Sequence, residues 1–455
     1  MQSNNQQLHC GNCGTVLEKD SRFCVSCGTP TQSTPHIQCP VCDADSSADG
    51  QAHEQCGSGV QTDPASSRYH GLDALRGFAM LLGIVLHAAL PYIPGIEAFW
   101  PADESSSYLL TTIFQFIHMW RMPAFFILAG FFANLVISRK SWSSWWGNRL
   151  LRIGLPIMVF FPLMGLTLPW IFKFGETGEF TFFYSNVGQP FHLWFLWHLM
   201  IFVIITALFI IPYLLSAKVL DGLNKIGLDF VGKVFRALGA FLSGILLRSR
   251  FPVVLIVVCA IINVYGWGEL IPNPLATGLY FVVGYSLYSN SSLFTFLTKH
   301  WKYYLAVGIV VFALHTILTA VNAAVATDIN GDNPTRLSKE ESELLELSEL
   351  LGLLIYLAKI TGAVLFSYAF IGLSENKFGS YNAKLRFISD GAYWIYLIHL
   401  PIVTLVTFSM LKLPVFAEAK FLIAVIITCI TSLVSYKYFV RHSFLGILLN
   451  GRRYP

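Results

Sequence analysis

From about residue 70 onward the sequence is a succession of long apolar runs separated by short polar ones. A lipid bilayer has no water to satisfy backbone N–H and C=O groups, so a segment that crosses it must close its own hydrogen bonds, as a helix does. A crossing needs about 20 mostly apolar residues. Ten stretches qualify: 72–92, 110–138, 150–172, 192–215, 251–267, 275–289, 301–324, 349–373, 388–411 and 416–439. A further apolar stretch, 236–247, reads as an interfacial helix or as part of the fifth span. Only 12% of the residues are charged, against 55% apolar, where a soluble domain carries about 25% charged. That balance excludes a disordered chain and argues against an ordinary soluble enzyme. A net charge of +4 is too small and too dispersed for a nucleic-acid binder. The expected fold is an all-α polytopic membrane bundle of about ten transmembrane helices.

Charge asymmetry orients the bundle. With the N-terminus inside and the spans alternating, most of the 30 Lys and Arg residues fall on cytoplasmic segments, as the positive-inside rule requires. The outside loops are acidic, with Glu97, Asp103 and Glu104 in one and Glu340, Glu341, Glu343 and Glu346 in another. The expectation is a multi-pass membrane protein with both termini in the cytoplasm.

Seven of the nine cysteines precede residue 57, and their spacing suits a metal. Cys10 and Cys13, then Cys24 and Cys27, form one set of four. A shift of 29 residues gives Cys39, Cys42, His53 and Cys56, with His53 standing where Cys24 stood. Two such knuckles place four soft ligands tetrahedrally, the preference of Zn²⁺. Closed four-ligand sites are structural, so two structural zinc sites are expected, in a module that tethers the chain or docks a protein partner. Reduced thiols agree with a cytosolic location. The organisation read from sequence is tandem zinc ribbons over 1–57, a linker over 58–69, the membrane domain over 70–445 and a cytoplasmic tail over 446–455.

Ionisable groups at membrane depth are costly and mark function. Arg76 and His87 lie eleven residues apart in the first span, about 16 Å along a helix. His118 and Arg121, three apart, share the second span. The fourth span opens with His192-Leu-Trp194 and continues to His198, and the ninth carries His399. These groups are expected to converge in the central-to-outer part of the bundle. Arg149 and Arg152 sit at the cytoplasmic mouth of the third span, after Trp145 and Trp146. Guanidinium forks match phosphate oxygens, and imidazoles transfer protons near neutral pH. Together they suit a cytosolic acyl-CoA at one end and an acceptor hydroxyl reached from the other. His315 alone reads as a helix-packing residue, and Lys359 as either a buried functional cation or a snorkelling one.

The string Gly71-Leu-Asp73-Ala-Leu-Arg76-Gly77 through Gly83 to His87 resembles the first span of the acyltransferase 3 family. Phe116-Ile-His118-Met-Trp-Arg121-Met122-Pro, Arg149-Leu-Leu-Arg152, His192-Leu-Trp194 and Tyr393-Trp-Ile-Tyr396-Leu-Ile-His399-Leu-Pro401 follow in the family's order. The resemblance spans roughly 68–445 and leaves out the zinc ribbons. It implies O-acyl transfer, of a succinyl or acetyl group, from cytosolic acyl-CoA to a hydroxyl of a cell-envelope glycan. It further implies His87 as catalytic base, Arg76 and the Arg149/Arg152 pair as acyl-donor contacts, and His399 as a residue lining the site. In the combined reading Arg76 also tunes His87, His118 and Arg121 stabilise the oxyanion, and His192 and Trp194 join Arg149 and Arg152 in binding the donor. The rival readings from the same residues are a transporter of an anionic metabolite and a ribbon-anchored membrane scaffold.

Overall fold

The structure is a computed structural model that describes residues 37–38, 45–46, 68–139, 142–185, 191–206, 208, 229–263, 272–329 and 339–450. The chain divides into two compact units, Met1–Arg68 and Tyr69–Pro455. In the first unit, strands β1 (Ile37–Gln38) and β2 (Asp45–Ser46) pair antiparallel, Ile37 opposite Ser46 and Gln38 opposite Asp45. The expected ligands Cys10, Cys13, Cys24, Cys27, Cys39, Cys42, His53 and Cys56 lie outside the described residues.

The second unit is helical throughout its described residues. In chain order its helices are α1 (His70–Ala89), α2 (Tyr108–Ile137), α3 (Trp142–Arg149), α4 (Leu155–Thr177), α5 (Phe191–Thr206), α6 (Asp229–Leu247), α7 (Val253–Asn263), α8 (Pro274–Ser289), α9 (Ser291–Ile329), α10 (Lys339–Phe378), α11 (Ala383–Phe408), α12 (Ala417–Ser435) and α13 (Phe444–Asn450). Each of the ten expected spans meets a helix. Seven of these, among the described residues, are long and apolar enough to cross a membrane; α5 and α7 are shorter, as is α8. The chain is thus a multi-pass membrane protein. The stretch at 236–247 belongs to the separate helix α6, which exposes Phe230, Val234, Leu238, Phe241, Leu242 and Ile245 at helical spacing, the pattern of an interfacial helix. Helix α13 runs through residues expected in a tail and buries Leu449.

Two arrangements position the site. First, α1 and α11 run parallel and in close contact: the Ser389 hydroxyl donates to the Asp73 carbonyl at 2.8 Å, and Gly83, further along α1, faces His399, further along α11. Arg76 and His87 are three turns apart on α1, within about 20° of one face. Second, α2 crosses α8 at reciprocal glycines. A β-carbon on Gly130 would collide with the Phe281 carbonyl, and one on Gly284 with the Ile127 carbonyl. Small residues at such a crossing let backbones approach where lipid offers no hydrophobic driving force.

Between α1 and α2 the chain folds back over the bundle. A 3-10 turn (Leu90–Tyr92) ends α1, and the Ser107 hydroxyl caps α2 by accepting from the Leu110 N–H. The loop between them is pinned by Asp103, whose carboxylate meets Lys420 of α12 at 2.6 Å with both side chains almost fully buried. The reciprocal α2–α8 contact leaves no room for a side chain. Gly284→Val is therefore expected to destabilise the bundle by about 1–3 kcal/mol, read as a lowered thermal midpoint of the purified protein in detergent.

Candidate functional site

A cluster of three imidazoles and one guanidinium sits where α1, α2, α11 and the start of α5 meet. The rings of His87 and His399 are 5.4 Å apart between centroids, and those of His192 and His399 5.2 Å. Arg121 joins them from α2 through Gly83. A β-carbon there would lie 2.7 Å from Arg121 Nη1 and 3.4 Å from His399 Nε2. The bare backbone of Gly83 thus forms the floor on which the cation and the imidazole meet.

One main-chain atom orders two of the rings. His399 Nδ1 is 2.8 Å from the Tyr396 carbonyl oxygen, and His192 Nε2 is 3.0 Å from the same oxygen. A carbonyl only accepts, so both nitrogens carry the proton and donate. In the neutral rings the lone pairs then fall on His399 Nε2 and His192 Nδ1. Both atoms are buried with no partner among the described residues, as is His87 Nδ1. Pro401 lies within α11 and has no N–H to offer the Leu397 carbonyl one turn back, so the helix is locally opened beside the same rings.

Arg121 is equally short of partners. Its Nε and Nη1 are buried and unpartnered, and its Nη2 reaches only the Met122 sulfur at 3.7 Å. Among the described residues it makes no ion pair with a carboxylate. A guanidinium held this way is a preorganised donor for negative charge that arises inside the site.

On one side of the cluster stands an aromatic roof. Trp100, from the pinned loop, stacks on His87 with centroids 6.2 Å apart and planes 17° apart. Phe172 of α4 and Phe408 of α11 pack edge-on against Trp100.

At the opposite end of α1 and α11 lies a group of arginines. Arg152 sits on a π turn (Leu150–Gly154) that joins α3 to α4, a helical irregularity common at functional sites. Arg149 lies within electrostatic reach of Arg152, Arg76 and the Tyr393 hydroxyl. Neither Arg149 nor Arg152 makes an ion pair among the described residues. Arg76 pairs with Asp73 at 3.2 Å and lies over the Phe132 ring. Two tyrosines of α11 connect the ends: the Tyr393 hydroxyl donates to the Arg152 carbonyl at 2.6 Å, and the Tyr396 hydroxyl to the His192 carbonyl at 2.6 Å. From Tyr393 to His399 is about 9 Å along the helix.

The structure therefore gathers His87, Arg121, His192 and His399, and separately Arg76, Arg149 and Arg152. Trp194 joins neither group, and His118 makes no ring contact with the cluster, although it lies within electrostatic reach of His87 and Arg121. Both line a cavity of about 490 Å³ that also holds Lys359 and His315, and His118 stacks on Phe114. His198 is buried against Thr277, whose hydroxyl is 3.1 Å from His198 Nδ1. Trp100, Gly83, Tyr393 and Tyr396 were not singled out from sequence as site residues. The signal for Gly83 was there: it lies four residues before His87 and seven after Arg76, on the one face the two share.

The profile of the acyltransferase domain matches residues 69–438, and that of the zinc-ribbon domain residues 9–31. Glucans biosynthesis protein C of Escherichia coli strain K12 is 38% identical over 107 residues, 23% of this chain and 26% of that protein. The protein of the same name from strain SMS-3-5 / SECEC is 37% identical over 107 residues, with the same coverage. The match thus spans about a quarter of the length of these curated relatives. No solved structure matches the chain. With the domain profile covering most of the sequence, the chain belongs to the acyltransferase 3 family, with a zinc-ribbon match near its N-terminus.

Proposed function

We propose that this protein transfers an acyl group, succinyl or acetyl, from cytosolic acyl-CoA to a hydroxyl of an extracytoplasmic glycan. The observation that carries the reading is the pairing of a buried guanidinium, free of carboxylates, with imidazole lone pairs across Gly83. Acyl transfer needs those two things together: donors for the oxyanion formed at the thioester carbonyl, and a base for the attacking hydroxyl.

The donor enters at the arginine end, which faces the cytoplasm. Arg76, Arg149 and Arg152 hold its phosphates by charge-assisted hydrogen bonds. The pantetheine arm then runs past Tyr393 and Tyr396 and covers the roughly 16 Å along α1 from Arg76 to His87. The acceptor reaches the cluster from the Trp100 side. His87 takes the hydroxyl proton, with His399 beside it to steady the charged ring. The oxygen attacks the thioester carbon while Arg121 Nε and Nη1 bind the developing oxyanion. The C–S bond breaks, and the departing thiolate takes up the proton as CoA leaves. His118 and Trp194 are left out of this centre.

The relatives' printed name concerns glucan biosynthesis, which supports a glycan acceptor. The excess of Lys and Arg on one set of loops supports an inner-membrane protein with both termini in the cytoplasm. Each N-terminal set of soft ligands suits one zinc ion. For the second set, the β1–β2 pairing frames the connection that carries Cys39 and Cys42, as a zinc knuckle requires. When bound, zinc supplies folding energy to so small a unit, and the ribbons serve as a docking module for a cytoplasmic protein.

Three outcomes are expected. His87→Ala lowers acyl transfer by about 10²–10⁴-fold while the protein still inserts, measured by mass analysis of envelope glycans from cells carrying each form. Normal acylation by that variant rejects the assignment. Gly83→Ala pushes Arg121 off the site and lowers turnover by about 10²-fold, with little change in thermal midpoint or in the affinity for CoA. Elemental analysis finds about two zinc ions per chain, and about one after Cys39→Ser with Cys42→Ser; an unchanged zinc content in the double variant removes the second site.

A further inference from the structure

The cavity that holds Lys359 lies among α2, α8, α9 and α10, with Trp194 of α5 and Asn263 of α7 also on its wall. We propose that it binds a monoanionic amphiphile drawn from the bilayer, with the anionic head on Lys359 and the hydrocarbon body along the apolar wall. The inference is independent of the acyl-transfer reading.

Lys359 is the middle residue of a 40-residue helix, about 30 Å from either end. A bilayer's hydrocarbon core is also about 30 Å thick, so with α10 centred in it Lys359 lies some 15 Å from each interface. That is beyond the reach of a snorkelling lysine stem. Its side chain is accessible within the cavity. Among the described residues it has no ion pair, and neither Asp nor Glu lines the cavity. A cation at such depth is expensive unless an anion is brought to it.

The surroundings define that anion. His118 and His315 lie within electrostatic reach of Lys359. His315 Nδ1 is already engaged by the Ile355 carbonyl at 3.2 Å, which leaves His118 and Gln115 to complete a polar head site. With Lys359 as the one fixed cation of the lining, the head carries a single negative charge, which a phosphodiester or a carboxylate provides. A polyanion such as CoA is not matched there. Asn263, Thr277, Thr319 and Tyr356 also line the cavity, but each donates to a main-chain carbonyl; most of the remaining wall is apolar, with Phe114, Met119, Met122, Trp194 and Ile360. Methionines adapt to irregular hydrocarbon, and about 490 Å³ is the size of a site for a small organic molecule.

The test is native mass spectrometry of the full chain released from phosphatidylcholine nanodiscs that contain phosphatidylglycerol, with decanoate, decanol and inorganic phosphate as competitors. The wild type is expected to retain one phosphatidylglycerol in preference to phosphatidylcholine, and decanoate to displace it. Lys359→Met should weaken that retention by about tenfold or more, and Lys359→Arg should keep it. Retention of decanoate without phosphatidylglycerol also upholds the proposal and makes a single-chain carboxylate the source. Undiminished retention by Lys359→Met overturns it, as does displacement by inorganic phosphate alone. Should Lys359→Met fail to accumulate, the wild type decides: decanol competing as well as decanoate overturns the role of the charge.

Discussion

A guanidinium inside a bilayer has no water to fall back on, and the organisation of this site follows from how Arg121 is provided for. Its nitrogens find no carboxylate and almost no hydrogen-bond acceptor among the described residues. What surrounds it instead is a set of neutral dipoles: imidazoles whose lone pairs are left over, and the Tyr396 side chain within electrostatic reach. An ion pair at that position would have quenched the donors. Left unpaired, they are available to charge that exists only while a bond is being made, which is the condition for stabilising a transition state rather than a ground state.

The remaining architecture serves that one placement. The parallel contact of α1 with α11 brings Gly83 to His399, and the glycine-to-glycine crossing of α2 with α8 sets the depth of Arg121. The Asp103–Lys420 pair, buried almost completely, fixes the loop that holds Trp100 over His87. Removing one partner of such a pair would leave a lone buried charge, at a cost of about 3–5 kcal/mol. The loop, whose own regular structure is two short 3-10 turns, is thus tied to α12 by a buried pair.

Much of the fold was legible because hydrocarbon imposes length and composition on anything that crosses it. Each of the ten apolar runs meets a helix among the described residues, and four of the groups expected to converge, His87, Arg121, His192 and His399, do so. The different neighbours of His118 and Arg121 were not legible. Residues three apart on a helix differ by about 60° around its axis, enough for Arg121 to meet Gly83 while His118 stacks on Phe114. Trp100 was hidden in a loop, where helical spacing says nothing. Asp103 read as one more acid in an acidic loop, and nothing in the sequence joined it to Lys420; only the folded chain shows that they meet.

The oxygen that orients His192 and His399 belongs to the main chain. No side-chain replacement deletes a peptide carbonyl, so the tautomers of the two rings are inherited from the path of α11 rather than from the identity of residue 396. The proton inventory of the centre can thus persist while the residues around it drift. It is lost only when the helix itself changes course.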